Sequence, residues 1–151
     1  MTRRQTSLPR QWLIVTARSA GLPRHLPRTT GIIVLAEVPR RERIRIAIAA
    51  RRRELIVAEE ATRDVARIHN VRELRRARLA RTPLILLSPL YPTRSHPDWR
   101  PLPRMRAAAL ARLAGKRAFA LGGMNARRFQ HVKRLGLVGW AGIDAWSKPR
   151  S

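Results

Sequence analysis

Leu84-Ile85-Leu86-Leu87-Ser88-Pro89-Leu90-Tyr91-Pro92-Thr93-Arg94-Ser95-His96-Pro97 begins as a buried strand and ends as a rigid polar loop. Leu84 to Leu87 has no polar alternation, which is the pattern of a parallel strand covered on both faces. Pro89, Pro92 and Pro97 then restrict φ along a loop that carries Ser88, Thr93, Arg94, Ser95 and His96. A strand of this kind belongs to an α/β architecture, and the polar residues after it lie where such architectures place their chemistry.

Apolar runs on either side repeat the theme. Gln11 to Ala17, Gly31 to Glu37, Leu55 to Ala58, Val65 to Asn70, Arg117 to Leu121 and Val138 to Ile143 complete a set of seven strands. Helical stretches alternate with them. Pro39 opens a helix over Arg40 to Arg53, with Ile44, Ala47 and Ile48 expected towards the sheet. Asn70 caps a helix from Val71 to about Arg81. An Ala-rich helix runs from Pro101 to Ala114, with Met105, Leu110 and Leu113 as its apolar side and Gly115 as its stop. A last helix extends from about Ala126 to Leu135. The helix due after Leu55 to Ala58 is missing or nearly so.

The chain has 151 residues and 44% hydrophobic content, which suits one domain with a real core. The expected division is a basic N-terminal tail over 1–10, a domain over 11–146 and a C-terminal tail over 147–151. The absence of cysteine excludes disulfides and thiolate metal sites. No apolar run approaches the ~20 residues of a membrane helix, and Arg18 interrupts the N-terminal run too soon for a signal peptide. A soluble, cytoplasmic protein without membrane contact is expected.

The net charge is +24, from 33 basic and 9 acidic residues, and 30 of the basic residues are arginine. Such a balance invites a nucleic-acid partner. Here the arginines spread through every segment, a bias that GC-rich coding produces equally well. No specific nucleic acid is therefore expected, only non-specific RNA binding at low salt. A single-face stripe of basic residues would argue otherwise.

Three places at the strand ends carry candidate chemistry. Gly122-Gly123-Met124-Asn125 follows a strand and precedes a helix, so its backbone amides can approach a phosphate, with Asn125 as cap. The same glycines also suit a plain tight turn needing positive φ. The loop after Leu87 offers hydroxyls at Ser88, Thr93 and Ser95 and the guanidinium of Arg94 for a phosphate or diphosphate, with His96 as a proton carrier. His69, at another strand end, faces the same mouth. Glu37, Glu59, Glu60 and Asp144 are the acids at strand ends, each a candidate base or metal ligand and each equally a cap or solvated group.

From about Val65 to Trp146 the chain resembles the thiamine-phosphate synthase and thiazole tautomerase family. Ser88-Pro89-Leu90-Tyr91-Pro92-Thr93 and Ala120-Leu121-Gly122-Gly123 carry the likeness, and Arg67-Ile68-His69-Asn70 is similar to the family's Ser-x-His-Ser strand end. The resemblance implies a shortened TIM-type (β/α) barrel of about seven parallel strands, where size alone suits an open doubly wound sheet. It implies thiazole phosphate binding at Gly122 and Gly123, diphosphate contacts at Thr93 and Ser95, and a transferase of thiamine biosynthesis. Magnesium is implied if the synthase reaction is retained. A synthase carries Gln-x-Arg-x-Lys after its second strand, where this chain has Val34-Leu35-Ala36-Glu37-Val38-Pro39-Arg40. Its third strand ends in Asn-Asp, where Glu59 and Glu60 stand here. Asp144 occupies a position of the phosphate site that is usually small, and needs Arg94 or Arg127 as a partner.

The resulting expectation is a synthase-like protein whose catalytic residues are His69 and His96. Its phosphate-binding set is Ser88, Thr93, Arg94, Ser95, Gly122, Gly123, Met124 and Asn125, with no metal ligand assigned. The alternatives are a metal-independent thiazole tautomerase, an inactive phosphate-binding paralogue with Trp99 or Trp140 blocking its mouth, and a basic nucleic-acid-binding protein. A barrel short of one strand exposes two edges, which a homodimer would cover.

Overall fold

In the computed structural model, which describes residues 7–19 and 21–146, every apolar run forms a strand and every strand ladder is parallel. The elements are β1 (Gln11–Val15), β2 (Thr30–Val34), α1 (Arg40–Arg52), β3 (Val57–Glu59), β4 (Val65–Ile68), α2 (Val71–Leu79), β5 (Leu84–Leu87), α3 (Arg104–Ala114), β6 (Ala118–Ala120), α4 (Ala126–Val132) and β7 (Gly139–Gly142). The strand order is β3-β2-β1-β7-β6-β5-β4. Consecutive strands pair directly except β3 and β4, and β7 also returns to lie beside β1. That return curls the sheet into a nearly closed seven-stranded barrel.

The interior shows the curl. Trp12, Ile14, Ile33, Leu35, Ala58, Val65, Leu84, Leu86, Phe119 and Ala141, from all seven strands or their ends, form one buried cluster. Trp12 and Phe119 meet edge to face at 6.4 Å, and the Trp12 indole N–H donates to the Pro9 carbonyl at 2.8 Å. Gly31 pairs in register with Trp12, and a side chain there would overlap the indole ring. The alternate strand positions point outwards. Ile68, Ile85, Leu87, Ala118, Ala120 and Trp140 pack under α2, α3 and α4. Leu13, Val15, Ile32 and Val34 pack under α1.

Closure between β3 and β4 is unlike the rest. Parallel neighbours normally need a crossover of about a dozen residues or more. Here β3 steps to β4 through one 3-10 turn, Glu60–Thr62, with no helix. The stagger of strands in a barrel explains how this works: the end of β3 lies beside the beginning of β4. The Asp64 amide donates to the Glu59 carbonyl at 3.1 Å, and the Glu59 amide donates back to the Asp64 carboxylate at 3.0 Å. Among the described residues no strand ladder crosses this seam.

Several expectations are corrected. The strands end earlier than the apolar runs, at Val15, Val34 and Ile68. The third starts at Val57, not Leu55, and the last helix breaks into a 3-10 turn at Lys133–Leu135. In α1 the buried residues are Ile46 and Ala50, whereas Ile44 and Ile48 are half exposed. Ile44, Ile46 and Ile48 cannot share one face at 3.6 residues per turn, and Ile46 is the one that shares the buried face with Ala50. In α3, which starts at Arg104 and not Pro101, Ala107, Leu110, Ala111 and Ala114 face the barrel. Met105 is 84% exposed and Leu113 half exposed, because the helix lies against the strands through its alanines. The proposed 147–151 tail and residues 1–6 of the N-terminal one lie outside the described residues.

Candidate active site

Side chains alternate along a strand, so the residue two beyond each interior position points to the barrel mouth. Leu35, Leu121 and Ile143 pack on top of the interior cluster as an apolar floor. The polar groups above it come from the β3–β4 seam and from the loops after β4, β5 and β6.

His69 follows β4. Its Nδ1 lies 2.8 Å from the Ser88 carbonyl oxygen at the end of β5. A carbonyl only accepts, so Nδ1 is the donor in this bond, and Nε2 has no hydrogen-bond partner among the described residues. The Glu73 carboxylate accepts from the His69 amide at 2.6 Å, while Asn70 caps α2 by accepting from the Glu73 amide at 2.9 Å. The His69 ring is thus held at both its backbone and its side chain. Trp99 lies edge-on to it at 5.2 Å and stacks against His96 at 4.0 Å. His96 sits on the solvent side of that indole, exposed, so the two histidines are separated by Trp99.

The loop after β5 is tied down along its length. Leu90 N–H donates to the Leu121 carbonyl, Tyr91 N–H to the Gly122 carbonyl, and Leu102 N–H to the Pro89 carbonyl. Ser88 is buried and Ser88-Pro89 is a cis peptide. The Thr93 hydroxyl accepts from the His96 amide at 3.0 Å and lies 3.3 Å from the Ser95 hydroxyl, so both help to shape the loop itself. Arg94 is exposed and forms no ion pair among the described residues.

Gly122 and Gly123 have φ of +101° and +59°. A Cβ on Gly122 would lie 2.7 Å from Pro89 Cα, and one on Gly123 would lie 2.6 Å from the Pro92 carbonyl oxygen. The glycines let the two loops touch. Arg128 donates to the Gly123 carbonyl at 2.6 Å, and its guanidinium lies over the Tyr91 ring at 4.9 Å, clamping the same junction. Asn125 caps α4 by accepting from the Arg128 amide at 2.8 Å, and the Met124 side chain is buried in the outer core. The Gly122 and Gly123 amides donate to no protein group among the described residues.

Arg67 is the mouth residue that went unassigned. It follows Val65 by two and precedes His69 by two, so strand alternation alone aims it at the mouth. Its guanidinium makes two bonds to the Glu60 carboxylate, at 2.7 and 3.1 Å. Glu60 also accepts from the Ala36 amide at 3.2 Å, joining the loop after β2 to the seam. Both Glu60 oxygens are therefore engaged, while Glu59 lies in β3 one position after the inward Ala58. No group of three metal-ligating side chains occurs among the described residues. The bonds of Glu60 to Arg67 and the Ala36 amide leave neither Glu60 oxygen free for the magnesium that the family resemblance implies.

Asp144 is exposed and pairs with neither Arg94 nor Arg127. Trp140 points outwards from β7 and stacks on Trp146 at 5.0 Å, so it does not block the mouth.

The model of the thiamine monophosphate synthase family matches residues 65–146, the part of the chain that supplies His69, the β5 loop and the Gly-Gly turn. The chain belongs to this family. Among solved structures, thiamine phosphate pyrophosphorylase from Pyrococcus furiosus is similar in fold, with a TM-score of 0.66 at 15% identity over 91% of this chain and 86% of that one. No curated protein sequence matches. The barrel expected from the β5 and Gly-Gly motifs is thus the fold of this family member, in place of the open doubly wound sheet. No helix among the described residues is long and apolar enough to cross a membrane.

Proposed function

We propose that this family member binds a thiazole phosphate in the mouth between the β5 loop and the Gly122-Gly123 turn, with His69 positioned to move a proton on the bound ring. The observation that carries the reading is the 2.8 Å contact between His69 Nδ1 and the Ser88 carbonyl oxygen. With Nδ1–H held by the Ser88 carbonyl, Nε2 can accept a proton from a ring carbon and return it to another position, which is what aromatising a thiazole tautomer requires. The exposed Arg94 and the backbone of Gly123 offer the nearby donors for phosphate, beside the hydroxyls of Thr93 and Ser95.

Synthase-type chemistry, joining this thiazole to a pyrimidine diphosphate, is the reading family membership favours. The engagement of Glu60 by Arg67 and Ala36 favours the metal-independent tautomerase reading over it, because that carboxylate would have to leave both partners to hold a cation. Cytoplasmic localisation and a homodimer over the seam accompany the proposal.

The test is titration of the purified protein with thiazole phosphate, with and without magnesium and the pyrimidine diphosphate, while thiamine phosphate and the aromatic thiazole are followed by chromatography. Conversion of the thiazole tautomer alone supports proton transfer. Formation of thiamine phosphate supports the synthase reaction instead. Binding without either product marks an inactive phosphate-binding paralogue, and no binding sinks every reading of this mouth.

A further inference from the structure

Charge is distributed unevenly over this barrel. Seven of the nine acids fall between Glu37 and Glu73, in or beside α1, the seam and α2. Between Asp98 and Asp144 there is no acid at all, yet this stretch carries Arg100, Arg104, Arg106, Arg112, Lys116, Arg117, Arg127, Arg128, Lys133 and Arg134. That stretch folds as α3, β6, α4 and the 3-10 turn after it. The α3–α4 side of the barrel therefore carries basic residues and no acidic one.

A groove of about 610 Å³ runs between α3 and the turn after α4, floored by Met105, Ala108, Leu135 and Val138. Arg112, Lys116 and Arg134 rim it. It adjoins a second concavity of about 450 Å³ lined by Arg104, His131, Lys133 and Arg134. Neither contains an acidic residue. All five cations are exposed, and none is in an ion pair among the described residues. Arg104 gives one donor to the His131 carbonyl at 3.0 Å, which fixes its arm along the groove.

We propose that this α3–α4 groove binds the phosphate backbone of a single-stranded nucleic acid, separately from the barrel mouth. The eleven residues of α3 give a track ~16 Å long, at 1.5 Å per residue. Five cations with no ion-pair partner among the described residues, Arg104 and Arg112 on α3 and Lys116, Lys133 and Arg134 beside it, offer successive contacts to a polyanion laid along this track, and the guanidinium fork suits phosphate oxygens. No Phe, Tyr or Trp lines the groove, so it lacks a large stacking platform for bases. The binding is therefore tolerant of sequence and strongly dependent on salt. An acidic protein segment is the competing occupant, and the whole-face excess of arginine, extending beyond the groove, favours the longer polyanion.

The experiment measures fluorescence anisotropy of a labelled oligouridylate of about 20 nucleotides, longer than a typical single-strand site, against the full chain over a salt series. Engagement of five cations predicts a log–log salt slope of about −3.5, a loss of about a hundredfold between 50 and 200 mM salt. The triple variant Arg112→Glu/Lys116→Glu/Arg134→Glu should weaken binding at least about tenfold and flatten the slope by about 2. Arg41→Glu/Arg51→Glu/Arg52→Glu on α1 loses the same net charge and should weaken it less than about threefold. Lys116→Gln/Arg134→Gln, a milder change that should melt at the same temperature as the parent, should fall between them. Equal weakening by the two triples would overturn the proposal, since binding would then follow total charge. So would polyglutamate of matched charge binding as tightly as the RNA.

Discussion

Replacing Gly122 by alanine tests whether the β5 loop is anchored by direct backbone contact. The new Cβ would lie 2.7 Å from Pro89 Cα, 2.8 Å from Pro89 Cβ and 3.1 Å from the Leu90 nitrogen. None of these atoms is the far end of a flexible side chain. The Leu90–Leu121 and Tyr91–Gly122 hydrogen bonds, at 3.0 and 3.1 Å, hold the two segments together at that point. Two effects add. An L residue at φ of +101° costs about 1–2 kcal/mol, and forcing a methyl into a filled contact costs about 1–3 kcal/mol more. Gly136 separates them, because its φ is +97° but a Cβ there meets only Ala111 Cβ, at 3.7 Å. Gly136→Ala should show the first cost alone. Urea unfolding followed by tryptophan fluorescence should place Gly122→Ala about 1–3 kcal/mol below Gly136→Ala, which at this chain length is about 2–12 °C in Tm. Thiazole phosphate binding should fall with Gly122→Ala and hold with Gly136→Ala. If the two variants are equally stable, the close approach of the loops is not what requires glycine there.

Three further outcomes check other links. His69→Asn should lower thiazole tautomerisation by about 10²–10⁴-fold while leaving thiazole phosphate affinity nearly unchanged, since it removes the base and not the phosphate donors; steady-state rates beside calorimetric titration check this. Ala111→Leu should destabilise by about 1–3 kcal/mol because α3 lies flush on the strands, whereas Met105→Gln should stay within about 0.5 kcal/mol, and thermal melts compare them. Asn70→Ala removes the cap on the Glu73 amide and should cost about 1 kcal/mol in chemical denaturation.

The order of strands and helices was legible because each apolar run of this chain is separated from the next by Pro, Gly, Asn or a charged stretch. Strand ends were not, since Ala36, Glu37, His69 and Asn70 continue the extended look of the runs after the ladder has stopped. Facing was harder still. Strands buried on both sides show no alternation, so Trp12 inside the barrel and Trp140 outside it look alike in sequence. The Gly122-Gly123 turn was visible as a pair of glycines after a strand, but the reason for it, contact with Pro89 and Pro92, depends on a residue pairing more than thirty positions away. Arg67 could have been placed by counting from Val65 to His69. Its bond to Glu60 could not, because that depends on the stagger that brings the end of β3 to the start of β4.

That seam also shapes how the molecule breathes. Among the described residues β3 and β4 alone have a laddered partner on one side only, so their amides should exchange with solvent before those of β1, β7 and β6, each of which is paired on both sides. Opening there would part Glu60 from Arg67 and free the Ala36 amide in the same motion. The barrel then unzips from the mouth's own rim, and a ligand that bridges the β2, β3 and β4 ends would act as a staple, slowing exchange across a region much larger than its footprint.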